Sequence, residues 1–174
     1  MIVSGVDHSQ RTRTMIAQTG VPVVEVMDLS DNPLELNVGF SHYQVGVEVA
    51  KYLVKKGYRH IAYAGTLTEI DFRSVRRISA FQQTLQKLGL PHHYIERSNK
   101  PSSFALGREM LGNLLERHKK LDAIFFANDD LAAGALFECQ RHSIKVPSRL
   151  ALMGFNDQDI AAETVPALTS VWTP

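Results

Sequence analysis

Two kinds of apolar pattern alternate along this chain. In one, four or five consecutive positions are apolar, as in Ala123-Ile124-Phe125-Phe126-Ala127. A run apolar at every position suits a parallel strand covered on both faces, whereas strict alternation would mark a half-exposed one. In the other, apolar residues recur every three or four positions, as at Val45, Val49 and Leu53 with Ala50 and Val54 beside them, which is the stripe of an amphipathic helix. The pattern predicts strands at 1–4, 22–26, 36–40, 61–64, 93–95, 123–127, 150–153 and 169–172. It predicts helices at 11–19, 73–88, 104–118 and 131–141, and a long one between Ser41, an N-cap by type, and Gly57. Gly20, Gly57 and Gly89 stand where helices should stop, and Asp31-Asn32-Pro33 is a turn by composition.

Strands followed by helices in this order predict an α/β fold of parallel sheets with helices on both faces, a three-layer αβα arrangement. Because the strands are few and short, two small sheets are expected, with the chain passing between lobes near 40–41 and again near 166–168. No repeat or low-complexity segment interrupts the alternation.

Composition narrows the partners. The chain has 174 residues, with 19 Lys+Arg against 18 Asp+Glu; such a balance lacks the clustered basic excess of a nucleic-acid surface. The single cysteine, Cys139, has no internal disulfide partner. No stretch reaches transmembrane length and no charged start precedes an apolar signal region, so a cytoplasmic setting is expected and no membrane contact. Met1-Ile2-Val3 reads as mid-strand and the chain stops just after another strand, which is expected of a piece of a longer polypeptide.

Catalytic signatures are missing. There is no Gly-x-Gly-x-x-Gly fingerprint, P-loop or Gly-x-Ser-x-Gly elbow, and His92, His93 and His118 lack zinc-pair spacing. No enzyme, cofactor or metal is expected, and most of the seven histidines are expected at the surface. What does carry chemistry is polar residues at strand tips, where open α/β sheets bind ligands. Asn128-Asp129-Asp130 follow the 123–127 strand, although Asn128 or Asp129 could equally cap the next helix. Arg73, Arg76 and Arg77 share one face in the first turns of a helix that follows the 61–64 strand. Cations there oppose the helix dipole by several tenths of a kcal/mol each. One or two of them are expected to reach water, and at least one to grip a hydroxylated or anionic ligand. Glu25, an acid within Val23-Val24-Glu25-Val26-Met27, needs a partner if buried; an arginine is the expected one, with a ligand-facing role the alternative.

These segments resemble the lactose-repressor (LacI) family of transcription regulators. The matching residues are 122–134 through Asn128-Asp129-Asp130, Val146-Pro147, 150–157 ending Gly154-Phe155-Asn156-Asp157, and 166–171. Upstream, 20–24, 57–63 and 77–81 fit as well. Within the family the chain is most similar to the gluconate-utilisation repressor branch, through 22–28 and Phe137-Glu138-Cys139-Gln140-Arg141. The resemblance implies a periplasmic-binding-protein-like effector domain of two lobes closing on a small molecule. It implies residues 1–40 and 168–174 in one lobe, incomplete here, and 41–167 in the other. It also implies a homodimer with Leu136 and Phe137 near the contact, core packing being the equal alternative for those two, and operator DNA read by an amino-terminal helix-turn-helix that these residues do not contain. Position by position, Arg77, four residues before Phe81, corresponds to the arginine that grips the effector, and Asn128 to the pocket asparagine. Asn156 stands where sugar-binding members usually carry aspartate. A neutral amide there, with Arg73, Arg76 and Arg77 nearby, favours a sugar acid such as gluconate over a neutral sugar. Met27 stands where many relatives have a ligand-facing aspartate, so Glu25 or Asp28 could take that place. Ser4 and His8 are further pocket candidates. The alternative function is a solute-binding protein serving a sugar transporter, since that architecture is shared.

Overall fold

The computed structural model describes residues 1–66 and 71–174, which form eight strands and six helices. Strands β1 (Ile2–Ser4), β2 (Val24–Val26) and β3 (Leu36–Val38) make a small parallel sheet in that order, accompanied by helix α1 (Gln10–Gln18). The second sheet comprises β4 (Ile61–Thr66), β5 (Ile95–Ser98), β6 (Ala123–Phe126), β7 (Ala151–Asn156) and β8 (Thr169–Trp172), all parallel in the order β5-β4-β6-β7-β8. Its helices pack in pairs, α2 (His42–Lys55) on α3 (Phe72–Lys87) and α4 (Phe104–Arg117) on α5 (Asp129–Arg141). Every residue of β6 is buried, so both faces of this sheet are covered, as the unbroken apolar run required. A short helix, α6 (Asp159–Glu163), absent from the sequence expectations, links β7 to β8.

Each of the five longer helices opens on a side-chain cap. Ser9, Ser41, Asp71, Ser103 and Asn128 accept the backbone N–H three residues on, contributing about 1 kcal/mol apiece. The caps fix where each helix departs from the strand before it, and so fix where the first helical side chains point.

Two expectations need correcting. The segment at 168–174 does not return to the first lobe: β8 continues the ladder of the second sheet, with Met153 opposite Thr169 and Asn156 opposite Trp172. Its backbone groups are satisfied by β7, so 166–168 is no crossing point, and the one passage between sheets among the described residues is the 39–41 segment. Of the two alternatives for Leu136 and Phe137, core packing holds for Leu136, which is fully buried, while Phe137 is half-buried with its ring 5.9 Å edge-on from Phe104. The 93–95 strand lies slightly later, at Ile95–Ser98, because Tyr94 contributes only its carbonyl, to Tyr63 N–H at 2.9 Å.

Two contacts set the geometry from which the cleft is built. First, α2 and α3 touch backbone to backbone: a Cβ on Gly46 would stand 2.1 Å from the carbonyl oxygen of Arg77. Only glycine permits this approach. Second, Arg76 on α3 reaches across to the first lobe, where its guanidinium pairs with Asp7 and with Asp28 (Nη1 to Oδ2, 2.9 and 2.5 Å). Asp28 is buried, so this pair is only partly screened by water and ties the two sheets to each other.

Both contacts can be tested by unfolding. Gly46→Ala should destabilise by about 1–3 kcal/mol in urea melts, the overpacking term exceeding the roughly 1 kcal/mol that alanine gains in helix propensity. Arg76→Ala leaves a buried carboxylate without its cation and should cost roughly 1–3 kcal/mol, below a fully buried pair because the guanidinium is part-solvated. Small-angle scattering should show a broader spread of lobe separations in that variant; an unchanged profile would count against the tie.

Candidate functional site

The carboxyl ends of β4, β6 and β7 face the carboxyl ends of β2 and β3 across a cleft of about 550 Å³, a size typical of small-molecule sites. The passage at Gly39, Phe40 and His42 forms one wall, and Thr66, Asp71, Ala127, Asn128 and Asn156 line it from the second lobe. Val26 and Met27 close it from the first.

Arg77 is the centre of this cleft. Its position on α3, six residues in from the Asp71 cap, turns it into the protein, and it is 4% exposed. Nη1 donates to His42 Nδ1 at 2.8 Å, and Nη2 to Ser74 Oγ at 3.1 Å and to the Ala127 carbonyl at 3.4 Å. The guanidinium Cζ lies over Phe155, 4.0 Å from the ring centroid, a cation–π contact. Nε is buried with no partner, and the Tyr63 hydroxyl adjoins the group without an aligned hydrogen bond. Every acceptor is therefore neutral. Among the described residues no carboxylate comes within ion-pairing distance of Arg77; Asp71 is near enough to raise its pKa, but spends its Oδ1 on the Ser74 N–H. Burial pushes the Arg77 pKa down, yet a guanidinium stays protonated in proteins. A buried cation without a counter-charge is costly to fold around.

The other two arginines of the group have different fates. Arg73 lies at the cleft mouth, half-buried, with Nη1 3.5 Å from Met27 Sδ. Arg76 makes the inter-lobe pairs described above. So one arginine of three is buried, one is shared between carboxylates and one borders the opening.

On the first lobe, Met27 does face the cleft. It ends β2 in a left-handed conformation (φ 77°), which is uncommon outside glycine. Asp28 points away and holds Arg76. Glu25 is fully buried behind the sheet, where its Oε2 accepts the Leu34 N–H at 2.8 Å and its Oε1 lies 3.0 Å from His8 Nε2. Its partner is thus a histidine, not the expected arginine, and neither Glu25 nor His8 lines the cleft. Two residues apart, Glu25 and Met27 would share a face in a regular strand, but β2 stops at Val26 and Met27 turns into a left-handed backbone (φ 77°), so the two side chains are not presented to the same space. Ser4 borders a separate shallow recess with Asp7, His8 and Arg73, and its hydroxyl points to Met27 Sδ at 3.4 Å.

On the second lobe, Asn128 is the cap of α5 and also lines the cleft. Its Oδ1 caps α5 by accepting the Leu131 N–H at 3.1 Å, and its Nδ2 donates to Ser102 Oγ at 2.7 Å at the cleft edge. Asp129 is structural: buried, it accepts from Ser170 Oγ at 2.6 Å and from the Gln158 N–H at 2.8 Å, locking β8 and the start of α6 onto β7. Asn156 is exposed, left-handed (φ 102°), and lines the cleft. Arg77, Asn128, Asn156 and Arg73 thus share one cavity, whereas Ser4 and Glu25 do not.

Sequence reasoning missed His42 and Phe155. Only His93 and His142 of the seven histidines are exposed, against the expectation of surface placement. His42 follows the Ser41 cap directly, so the cap was the available signal: it aims the first helical side chain back into the interior.

Comparisons with known proteins agree with this architecture. The model of the periplasmic binding protein-like domain family matches residues 50–174. The HTH-type transcriptional regulator GntR of Pseudomonas aeruginosa is 40% identical over 176 residues, covering 100% of this chain and 50% of that protein. Its Escherichia coli counterpart of the same name is 36% identical over 174 residues, covering 100% and 52%. The crystal structure of transcription regulator GntR from Chromobacterium violaceum superposes with a TM-score of 0.92 at 35% identity, over 99% of this chain and 63% of that one. A LacI family regulator from Silicibacter pomeroyi gives 0.93 at 35% identity, over 98% and 51%. The chain spans about half the length of the curated relatives it matches. Among the described residues no helix is long and apolar enough to cross a membrane. With two parallel sheets opening onto one polar cleft, and matched in sequence and fold by regulators over nearly its whole length, the chain belongs to the periplasmic binding protein-like domain family, in the branch formed by LacI-family transcription regulators.

Proposed function

We propose that this chain is the effector-sensing module of a DNA-binding transcription regulator, and that its effector is a sugar acid, gluconate being the first candidate. The observation that carries the reading is the buried Arg77 guanidinium with only neutral acceptors. A carboxylate entering the cleft would supply the missing counter-charge. A charge-assisted hydrogen bond of this kind contributes about 1.5–3 kcal/mol, or roughly ten- to a hundredfold in affinity. Asn156 presents an amide that can donate to an anion, where a carboxylate would repel it. Asn128 and Arg73 are suited to hydroxyl groups farther along the ligand. No bond-making step is assigned to any of these residues: the cleft binds and releases.

Regulation then follows from linkage. An effector with higher affinity for one lobe arrangement shifts the population toward it by the difference in affinity and no further. In a homodimer the lobe angle would set the spacing of two helix-turn-helix heads, which must match half-sites separated by helical turns of operator DNA. The relatives named above, all transcription regulators, support this use of the module over service to a transporter or catalysis.

Arg77→Met is the decisive variant. Gluconate affinity measured by calorimetry should fall by about a hundredfold or more, while the melting temperature holds or rises, since an apolar side chain of similar length relieves an uncompensated buried charge. Tight binding of a neutral sugar by the unaltered chain, with none of gluconate, would refute the sugar-acid reading.

A further inference from the structure

His42 is the least expected member of the cleft, and its two nitrogens face opposite lobes. Nδ1 takes a hydrogen bond from Arg77 Nη1 at 2.8 Å, and Nε2 lies 3.0 Å from the carbonyl oxygen of Met27 in the first lobe. A guanidinium can only donate and a carbonyl can only accept. The proton must therefore sit on Nε2, leaving Nδ1 with its lone pair toward Arg77. The ring is 4% exposed and lies between Phe40 and Phe155, with centroids 4.7 and 5.9 Å away. Burial and the adjoining Arg77 guanidinium outweigh the Met27 carbonyl and Asp28, and the ring is held neutral.

Neutrality at this position has a consequence for selectivity. A side chain that orients Arg77 must accept from Nη1. Were that acceptor a carboxylate, it would form an ion pair, and the cation would reach the ligand already compensated. An imidazole nitrogen fixes the direction of the fork and leaves its charge unspent. We infer that His42 is a specificity-determining residue: it positions Arg77 through a neutral nitrogen so that the net positive charge is kept for an anionic ligand, and through Met27 it ties that arginine to the opposite lobe. The inference rests on the sugar-acid reading of the cleft for its ligand, but the tautomer and the Arg77 contact stand apart from it.

Aspartate and asparagine at this position would each place an oxygen where Nδ1 now sits, one charged and the other not. The probes are gluconate and sorbitol, which share a six-carbon chain and differ in the terminal carboxylate. In calorimetry, H42N should lose several-fold in gluconate affinity at most. H42D should lose its preference for gluconate over sorbitol by about tenfold or more relative to H42N, the weight of one charge-assisted contact. Equal preference in the two variants would overturn the inference. Nitrogen NMR of the imidazole provides a test without ligand. The proton should reside on Nε2, and the ring should titrate well below its ordinary 6.5, at about 4, through burial first and Arg77 next, with Arg73 adding to the depression and Asp28 and the Met27 carbonyl opposing it. In R77M the midpoint should move back up. An Nδ1-protonated ring, or a midpoint indifferent to Arg77, would overturn the inference even if H42D failed to fold. If the unaltered chain bound neither probe, the sugar-acid reading would fail, while the spectrum would still decide the role of His42 toward Arg77.

Discussion

A guanidinium buried without a carboxylate is the constraint around which this protein is arranged. Arg77 is surrounded by an imidazole, a hydroxyl, a backbone carbonyl and an aromatic face, each able to accept or polarise and none able to cancel its charge. Such a site is expensive in folding free energy. The cost is borne by the large apolar core beneath it, where Tyr63, Phe81 and Phe125 pack with ring centroids 5.6–6.4 Å apart. Strain and uncompensated charge persist where the surrounding structure over-determines them, and in this chain that place is a cleft between two sheets.

The same stretch of α3 performs the second task of joining the lobes. Arg76 and Arg77 are consecutive, so their side chains diverge by about a hundred degrees around the helix. One turns inward to the cleft and the other reaches Asp7 and Asp28. Any rotation of α3 that moves Arg77 in the cleft also moves Arg76 in its pairing across the lobes. His42, at the start of α2, completes the linkage from the other side, and the backbone contact at Gly46 holds α2 and α3 in register. A ligand held by Arg77, as proposed, would in this way be coupled to the contact between the lobes.

Most of the architecture was legible from the chain alone because it depends on local patterns. The 123–127 run identified a strand covered on both faces, the alternation of strands and helices identified parallel sheets, and Ser41 and Asn128 marked helix starts that the backbone bonds repeat. Arg77, Asn128, Asn156 and Arg73 could be placed at one cleft from the chain because each lies just beyond a strand tip or in the helix that follows one. Ser4 and Glu25, expected beside them, lie outside that cleft for the opposite reason. Both belong to three-residue strands, too short for alternation to reveal which face turns toward the cleft.

What sequence determined by itself was therefore the list of elements, their class and the chemical character of the strand tips, since hydrophobic period, capping residues and residue type act over a few neighbours. Only the tertiary structure decided the pairings between distant positions. These include β8 beside β7 instead of in the first lobe, His8 as the partner of Glu25, Arg76 as the tie to Asp7 and Asp28, and His42 as the neutral support of Arg77. Each joins groups separated by more than a dozen residues, and their meeting depends on how whole sheets and helices pack, which no local pattern encodes.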